Sequence, residues 1–314
     1  SNYTDALSLL HNILSRMQQP VMLVDGAVNT KFLLLSLVNI AILYNIGDFR
    51  QCADTASEIL DVLTPEILDK VKPASFSANL FVSHILETFR LAGFAKLYLL
   101  DKDLDEFFEK IKLSLNAELP EKDCILTVKD YLAGKEYAVS NIESASPFSK
   151  VIFLILQEIS VLKDDYKRFA QNIYQAKLLA ADLHQYEFEL FCDLLIAYAY
   201  SKIGIPQKAQ SIYTDVLNKA EKSAMFNTLT LARYFAAKLK LASQKTDEAF
   251  LYINDTLAML QKFNNQSKII YALFEKLYIQ AAQEQGFAAV DVESENQKLL
   301  AVNSDNALSR ILSD

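Results

Sequence analysis

A forty-residue register governs the second half of the chain. Phe169, Ala209, Ala249 and Ala289 stand forty residues apart, each shortly after a polar turn: KDDYKRF, IGIPQKA, SQKTDEA and EQGFAA. Four residues further on come Ile173, Tyr213, Ile253 and Glu293, so the last copy decays. Twelve residues before the markers stand Gln157, Ala197, Ala237 and Leu277, where a small side chain lets the first helix of a pair approach the second closely. A period of this size belongs to arrays in which no single unit buries its own apolar stripe, so each stacks on the next.

Helical periodicity runs nearly from end to end. Breakers interrupt it at Gly26, Gly47, Pro65, Pro73, Gly93, Pro120, Gly134, Pro147, Gly204 and Pro206. No stretch between turn residues alternates with period two, so no sheet is expected. The connections are too short for anything but antiparallel helix pairs, about ten to fourteen helices in all. An apolar fraction of 52% with only six Gly and six Pro excludes disorder over most of the length. The longest apolar run, KFLLLSLVNIAILY (Lys31 to Tyr44), is interrupted by Ser36 and Asn39. It falls short of the roughly 20 residues that span a bilayer and is expected to be a buried helix, with no membrane contact.

Ala197, Tyr200, Gly204, Ala209, Tyr213 and Leu217 resemble a tetratricopeptide (TPR) repeat, whose two helices carry small and aromatic residues at such offsets around a tight turn. YNIGDFRQCADTASEIL, Tyr44 to Leu60, resembles the same turn, with Cys52 where that family usually has Ala; DLDEFFEKI and GKEYAVSNI are weaker echoes. The usual period is 34 residues and here it is 40. Arrays of longer period are similar to the repeat regions of large bacterial regulators of the maltose-activator (MalT) type, and more loosely to peptide-sensing Rap and PlcR-type receptors. The resemblance covers Val151 to Ala289 and is thin before that. It implies an all-α fold in which antiparallel helix pairs stack into a right-handed TPR-like superhelix, an α-solenoid. Irregular repeats are expected over residues 1–146, regular repeats of period about 40 over 147–290, and a capping helix or tail over 291–314, where the composition turns polar.

In such an array the first helix of each pair lines a concave face. The register then points Phe191, Leu194 and Tyr198 inward in one unit, Leu231, Tyr234 and Lys238 in the next, and Tyr271, Phe274 and Tyr278 in the third. An aromatic ladder with one cation suits an extended or helical peptide. The same side chains could equally pack the superhelix, and both readings stay open. The resemblance implies a non-catalytic, cytoplasmic module that binds a protein or peptide as the sensory or scaffolding part of a bacterial signalling or transcriptional regulator, without cofactor. A sensor of small ligands or peptide pheromones, with Lys238 paired to the ligand, is the alternative. An all-helical enzyme is a third class, and a homodimer stays open.

Little else in the sequence points to chemistry. The net charge of −8, with no basic block, argues against direct nucleic-acid binding. Cys52, Cys124 and Cys192 lie far apart and are expected to be small buried hydrophobes in a reducing compartment. His84 with Glu87 and His184 with Glu187 form two His-x-x-Glu pairs, expected on solvated helix faces, the reverse of the Glu-x-x-His order of helical di-metal sites. The acidic pair in KDDYKRF lacks a third carboxylate for magnesium and is expected to cap the following helix. There is no phosphate-cradling loop, nucleophile elbow or metalloprotease helix. Asn254 and Asn265 begin chance-level glycosylation sequons. The opening Ser-Asn-Tyr, without an initiator Met, is expected to be a protease scar on an excised fragment.

Overall fold

The computed structural model describes residues 3–16, 23, 24, 27–71, 77–135, 145–162, 164–223 and 225–284. Fourteen helices form there: α1 (Tyr3–Ser15), α2 (Thr30–Ile46), α3 (Phe49–Val62), α4 (Pro65–Val71), α5 (Ala78–Leu99), α6 (Leu104–Leu115), α7 (Lys122–Leu132), α8 (Pro147–Val161), α9 (Tyr166–Asp182), α10 (Tyr186–Lys202), α11 (Pro206–Lys222), α12 (Phe226–Ala242), α13 (Thr246–Lys262) and α14 (Lys268–Glu284). The all-α expectation is met. The exception is a two-residue antiparallel bridge between β1 (Leu23–Val24) and β2 (Ala27–Val28). No described helix is long and apolar enough to cross a membrane. The expected cap over 291–314 lies outside the described residues, as do Gly26, Pro73, Lys163, Gly286, Ala289, Glu293 and most of GKEYAVSNI.

The described residues divide into two compact units, one up to Ile125 together with Phe263–Lys268, the other holding the rest. In the first, the long apolar run becomes α2, with Leu33, Ile40, Ile42 and Leu43 buried. Gly47 closes it at φ 85°, its N–H donating to the carbonyls of Leu43 and Tyr44, and Asp48 caps α3 by accepting from the Gln51 N–H. Phe49, wholly buried, stacks on Tyr98 with ring centroids 4.5 Å apart. Cys52 is buried where the repeat resemblance calls for Ala.

Gly93 corrects one expectation, because α5 runs unbroken through it. A Cβ at this position would stand 3.0 Å from Ile125 Cδ1 and 3.3 Å from Phe108 Cε1. The glycine therefore serves close packing inside a helix, not its end. Three residues on, the Lys96 side chain is only 5% exposed and its ammonium lies 2.9 Å from Asp101 and 3.4 Å from Asp103. Burial pushes the Asp101 carboxyl up, but its hydrogen bond with Asp103 and the ammonium of Lys96 outweigh that and hold it down at about 2.

The second unit carries the regular register. Helices α9 to α13 are each 17 residues long and begin at residues 166, 186, 206, 226 and 246, so each helix and turn occupies 20 residues and each pair 40. The odd-numbered helices are amphipathic with one repeated stripe. Phe169, Ile173, Ala176 and Ala180 are buried on α9, Ala209, Tyr213, Val216 and Ala220 on α11, and Ala249, Ile253, Thr256 and Leu260 on α13. Helix α10 is buried more nearly all round, since it packs on α9, α11 and α12. Ala197, Ala199, Ala236 and Ala237, wholly buried, keep the α10 and α12 backbones close to their neighbours.

The turns repeat as well. His184, Gly204, Gln244 and Asn264 all adopt left-handed backbone, with φ of 55°, 80°, 57° and 52°, at 20-residue spacing or a multiple of it. Pro206 takes the first position of α11, where its missing N–H costs nothing. His184 thus lies in a turn rather than on a helix face with Glu187, a correction to its expected placement. Asp165 caps α9 by accepting from the Arg168 N–H at 3.0 Å.

Candidate functional site

The 20-residue spacing of α9 to α13 does not continue into α14, and that break decides what faces the candidate groove. Residues 263–267 separate α13 from α14, two more than the three-residue turns before them, so α14 starts at 268 rather than 266. Counted from the first residue of each helix, Cys192 and Ala232 correspond to Phe274, and Ala199 and Leu239 to Ala281, all of them buried. Gln280, not Tyr278, therefore takes the place that corresponds to Tyr198 and Lys238.

A cleft of about 390 Å3 opens among α10, α11, α12 and α14. Tyr198, Ser201 and Lys202 line it from α10, Pro206 and Tyr213 from α11, Phe235, Lys238 and Leu239 from α12, and Gln280 and Glu284 from α14. Its aromatic side is a connected set. Tyr213, 1% exposed, lies parallel to Phe235 with centroids 6.3 Å apart, and Phe235 in turn meets Tyr198 at 5.9 Å and Tyr234 at 5.5 Å. Tyr166 meets Tyr198 edge-on at 6.1 Å.

Two ammonium groups gather on these rings. Lys202 Nζ stands 5.3 Å and Lys238 Nζ 5.8 Å from the centroid of Tyr198, and Lys238 is also 5.5 Å from that of Tyr234. Such contacts between cations and aromatic faces are worth about 0.5–1 kcal/mol each when exposed. Burial pushes the Tyr234 hydroxyl up to about 12 and that of Tyr213 higher still, so both phenols stay neutral at ordinary pH. Gln280 donates to Glu284 at 3.4 Å.

The expected groove residues scatter around this centre. Tyr198 and Lys238 line the cleft, and Tyr234 stands behind it, edge-on to Phe274 at 5.9 Å. Leu194 and Phe274 are core residues, 0% and 1% exposed. Phe191 packs against the cluster built by Val151, Ile173 and Cys192, and Leu231 and Tyr271 are half-buried. Tyr278 is exposed and meets Phe250 edge-on, away from the cleft lining. The sequence did not single out Lys202, Phe235, Gln280 or Glu284 for this face. Lys202 was within reach, since it follows Tyr198 by four residues on one helix face.

Other candidate chemistry does not converge. His84 Nδ1 lies 4.0 Å from Glu87 Oε2 with both side chains 56% exposed, and among the described residues no three His, Cys, Asp or Glu side chains cluster as metal ligands would. All three cysteines are buried thiols. Asn265 and Ser267 of the second sequon are buried, 6% and 0% exposed, which leaves no room there for a glycan. No protein-family model, curated protein or solved structure matches this chain.

Proposed function

We propose that α8–α14 form a TPR-like, right-handed α-solenoid and that it works without catalysis. It binds an extended segment of a protein partner in the cleft around Tyr198, as the sensory or scaffolding region of a larger bacterial regulator. The observation that carries this reading is the cleft itself, where the half-buried rings of Tyr198 and Phe235 stand over the buried Tyr213 and beside Lys202 and Lys238. Its volume falls in the usual range for ligand sites, about 300–1,000 Å3. Aromatic side chains offer large contact area at low entropic cost, which is why they dominate binding hot spots. The repeated 20-residue spacing and the packing of α10 on α12 support the solenoid. A randomised heptapeptide library on phage, selected on the purified chain, tests the function. Selected peptides should lose about tenfold or more in affinity on Tyr198→Ala, the loss expected for a hot-spot side chain worth at least 1.4 kcal/mol. Peptides that bind wild type and Tyr198→Ala alike would remove the cleft from the account.

A further inference from the structure

We propose that the cleft selects an acidic segment: a peptide in which a carboxylate lies between Lys202 and Lys238 while a neighbouring bulky apolar side chain rests on Phe235. The inference depends on the peptide-binding reading above and names the ligand chemistry of the same site.

Three observations point to it. First, the charge of the lining runs against that of the chain: two lysines face one carboxylate, Glu284, in a protein of net charge −8. Second, both ammonium groups stand within 6 Å of the same Tyr198 centroid, at 5.3 and 5.8 Å. Two ammonium groups beside one ring concentrate positive potential there, which draws an anion to that part of the cleft. Lys202 is exposed and makes no ion pair among the described residues, so its charge is available to a ligand. Third, the half-buried Phe235 ring lines the cleft beside the cations, backed from beneath by the buried Leu239 and Tyr213. A bare inorganic anion would leave that ring uncovered. A carboxylate attached to an apolar side chain meets both halves, and lysine ammonium groups, as point charges, accept a carboxylate without the fixed fork that arginine demands.

The same phage selection separates this inference from the reading on which it depends. Peptides recovered on the wild-type chain should be enriched in Asp or Glu next to Leu, Phe or Tyr. The leading peptide and its Asn/Gln isostere, each fluorescein-labelled, are then titrated by fluorescence anisotropy at low and high NaCl. The acidic form should bind at least tenfold more tightly and lose most of that advantage in high salt. A Lys202→Gln, Lys238→Gln double variant should bind the acidic form no better than the isostere, while binding the isostere as wild type does. Equal affinity for the two peptides, or no acidic enrichment, overturns the acidic preference and leaves the peptide-binding reading standing. A selection with no binder sensitive to Tyr198→Ala overturns both. The peptide isostere makes the comparison on unmutated protein, so the folding of the lysine variant does not decide it.

Discussion

Turn residues at 20-residue spacing should respond to glycine in opposite directions, depending on what now occupies them. Gly204 sits at φ 80° with nothing within 4 Å of where a Cβ would stand, so Gly204→Ala introduces torsional strain and no clash. Left-handed backbone costs a non-glycine residue about 1–2 kcal/mol, and restricting the unfolded chain returns about 0.5–1, so Gly204→Ala should destabilise by about 1 kcal/mol. Gln244, at φ 57° in the equivalent turn two helices later, already carries that strain. Its side chain is exposed, so little packing is lost with it, and Gln244→Gly should stabilise by about 0.5–1 kcal/mol. Urea denaturation followed by circular dichroism reads both. With a slope of about 3 kcal/mol per molar, the midpoint moves by roughly 0.3 M in opposite directions. A neutral Gly204→Ala together with a destabilising Gln244→Gly would refute the equivalence of the turns.

Gly93→Val drives two methyls toward Ile125 and Phe108, already 3.0 and 3.3 Å from a modest Cβ, and should cost about 2 kcal/mol of stability in the same urea assay; an unchanged midpoint would mean that this contact yields freely. Asp101 gives an acid limb whose sign is fixed by its carboxyl being held at about 2, below its ordinary 3.8. The stabilisation is present above the ordinary carboxylate value and fades as pH falls toward 2, opposed in part by Asp103, whose carboxyl is pushed up by its hydrogen bond with Asp101. Stability measured against pH should therefore flatten in that window for Asp101→Asn, and an unchanged limb would assign it to other carboxylates.

The forty-residue register was legible because close helix approach repeats the same demand: Ala209 and Ala249 are wholly buried at equivalent points, as are Ala197 and Ala237. Three features were not legible, each for its own physical reason. Gly93 could not be told from a helix end because the side chains that require it, Phe108 and Ile125, come from later in the chain. The slip of α14 hides in loop length: FNNQS adds two residues without disturbing the apolar spacing on either side, so Tyr278 falls in the forty-residue count while Gln280 falls in the fold. The turns at His184, Gln244 and Asn264 carry no glycine, and although Asn and His favour left-handed backbone, that preference is too weak to mark a turn by itself. The candidate site was half visible. Tyr198 and Lys238 follow from the register, whereas Lys202 at the end of α10 resembles any cation placed near a helix C-terminus, where it favours the macrodipole.

Whether a peptide binds in the Tyr198 cleft is read from the dissociation constant of a selected peptide for the wild-type chain and for Tyr198→Ala. Tyr198 is half-buried among Tyr166, Phe235 and the two lysines, so its removal should leave the helical circular dichroism spectrum intact. In a folded Tyr198→Ala variant the dissociation constant should rise by about tenfold or more. An unchanged constant in a variant with wild-type helicity would contradict binding there.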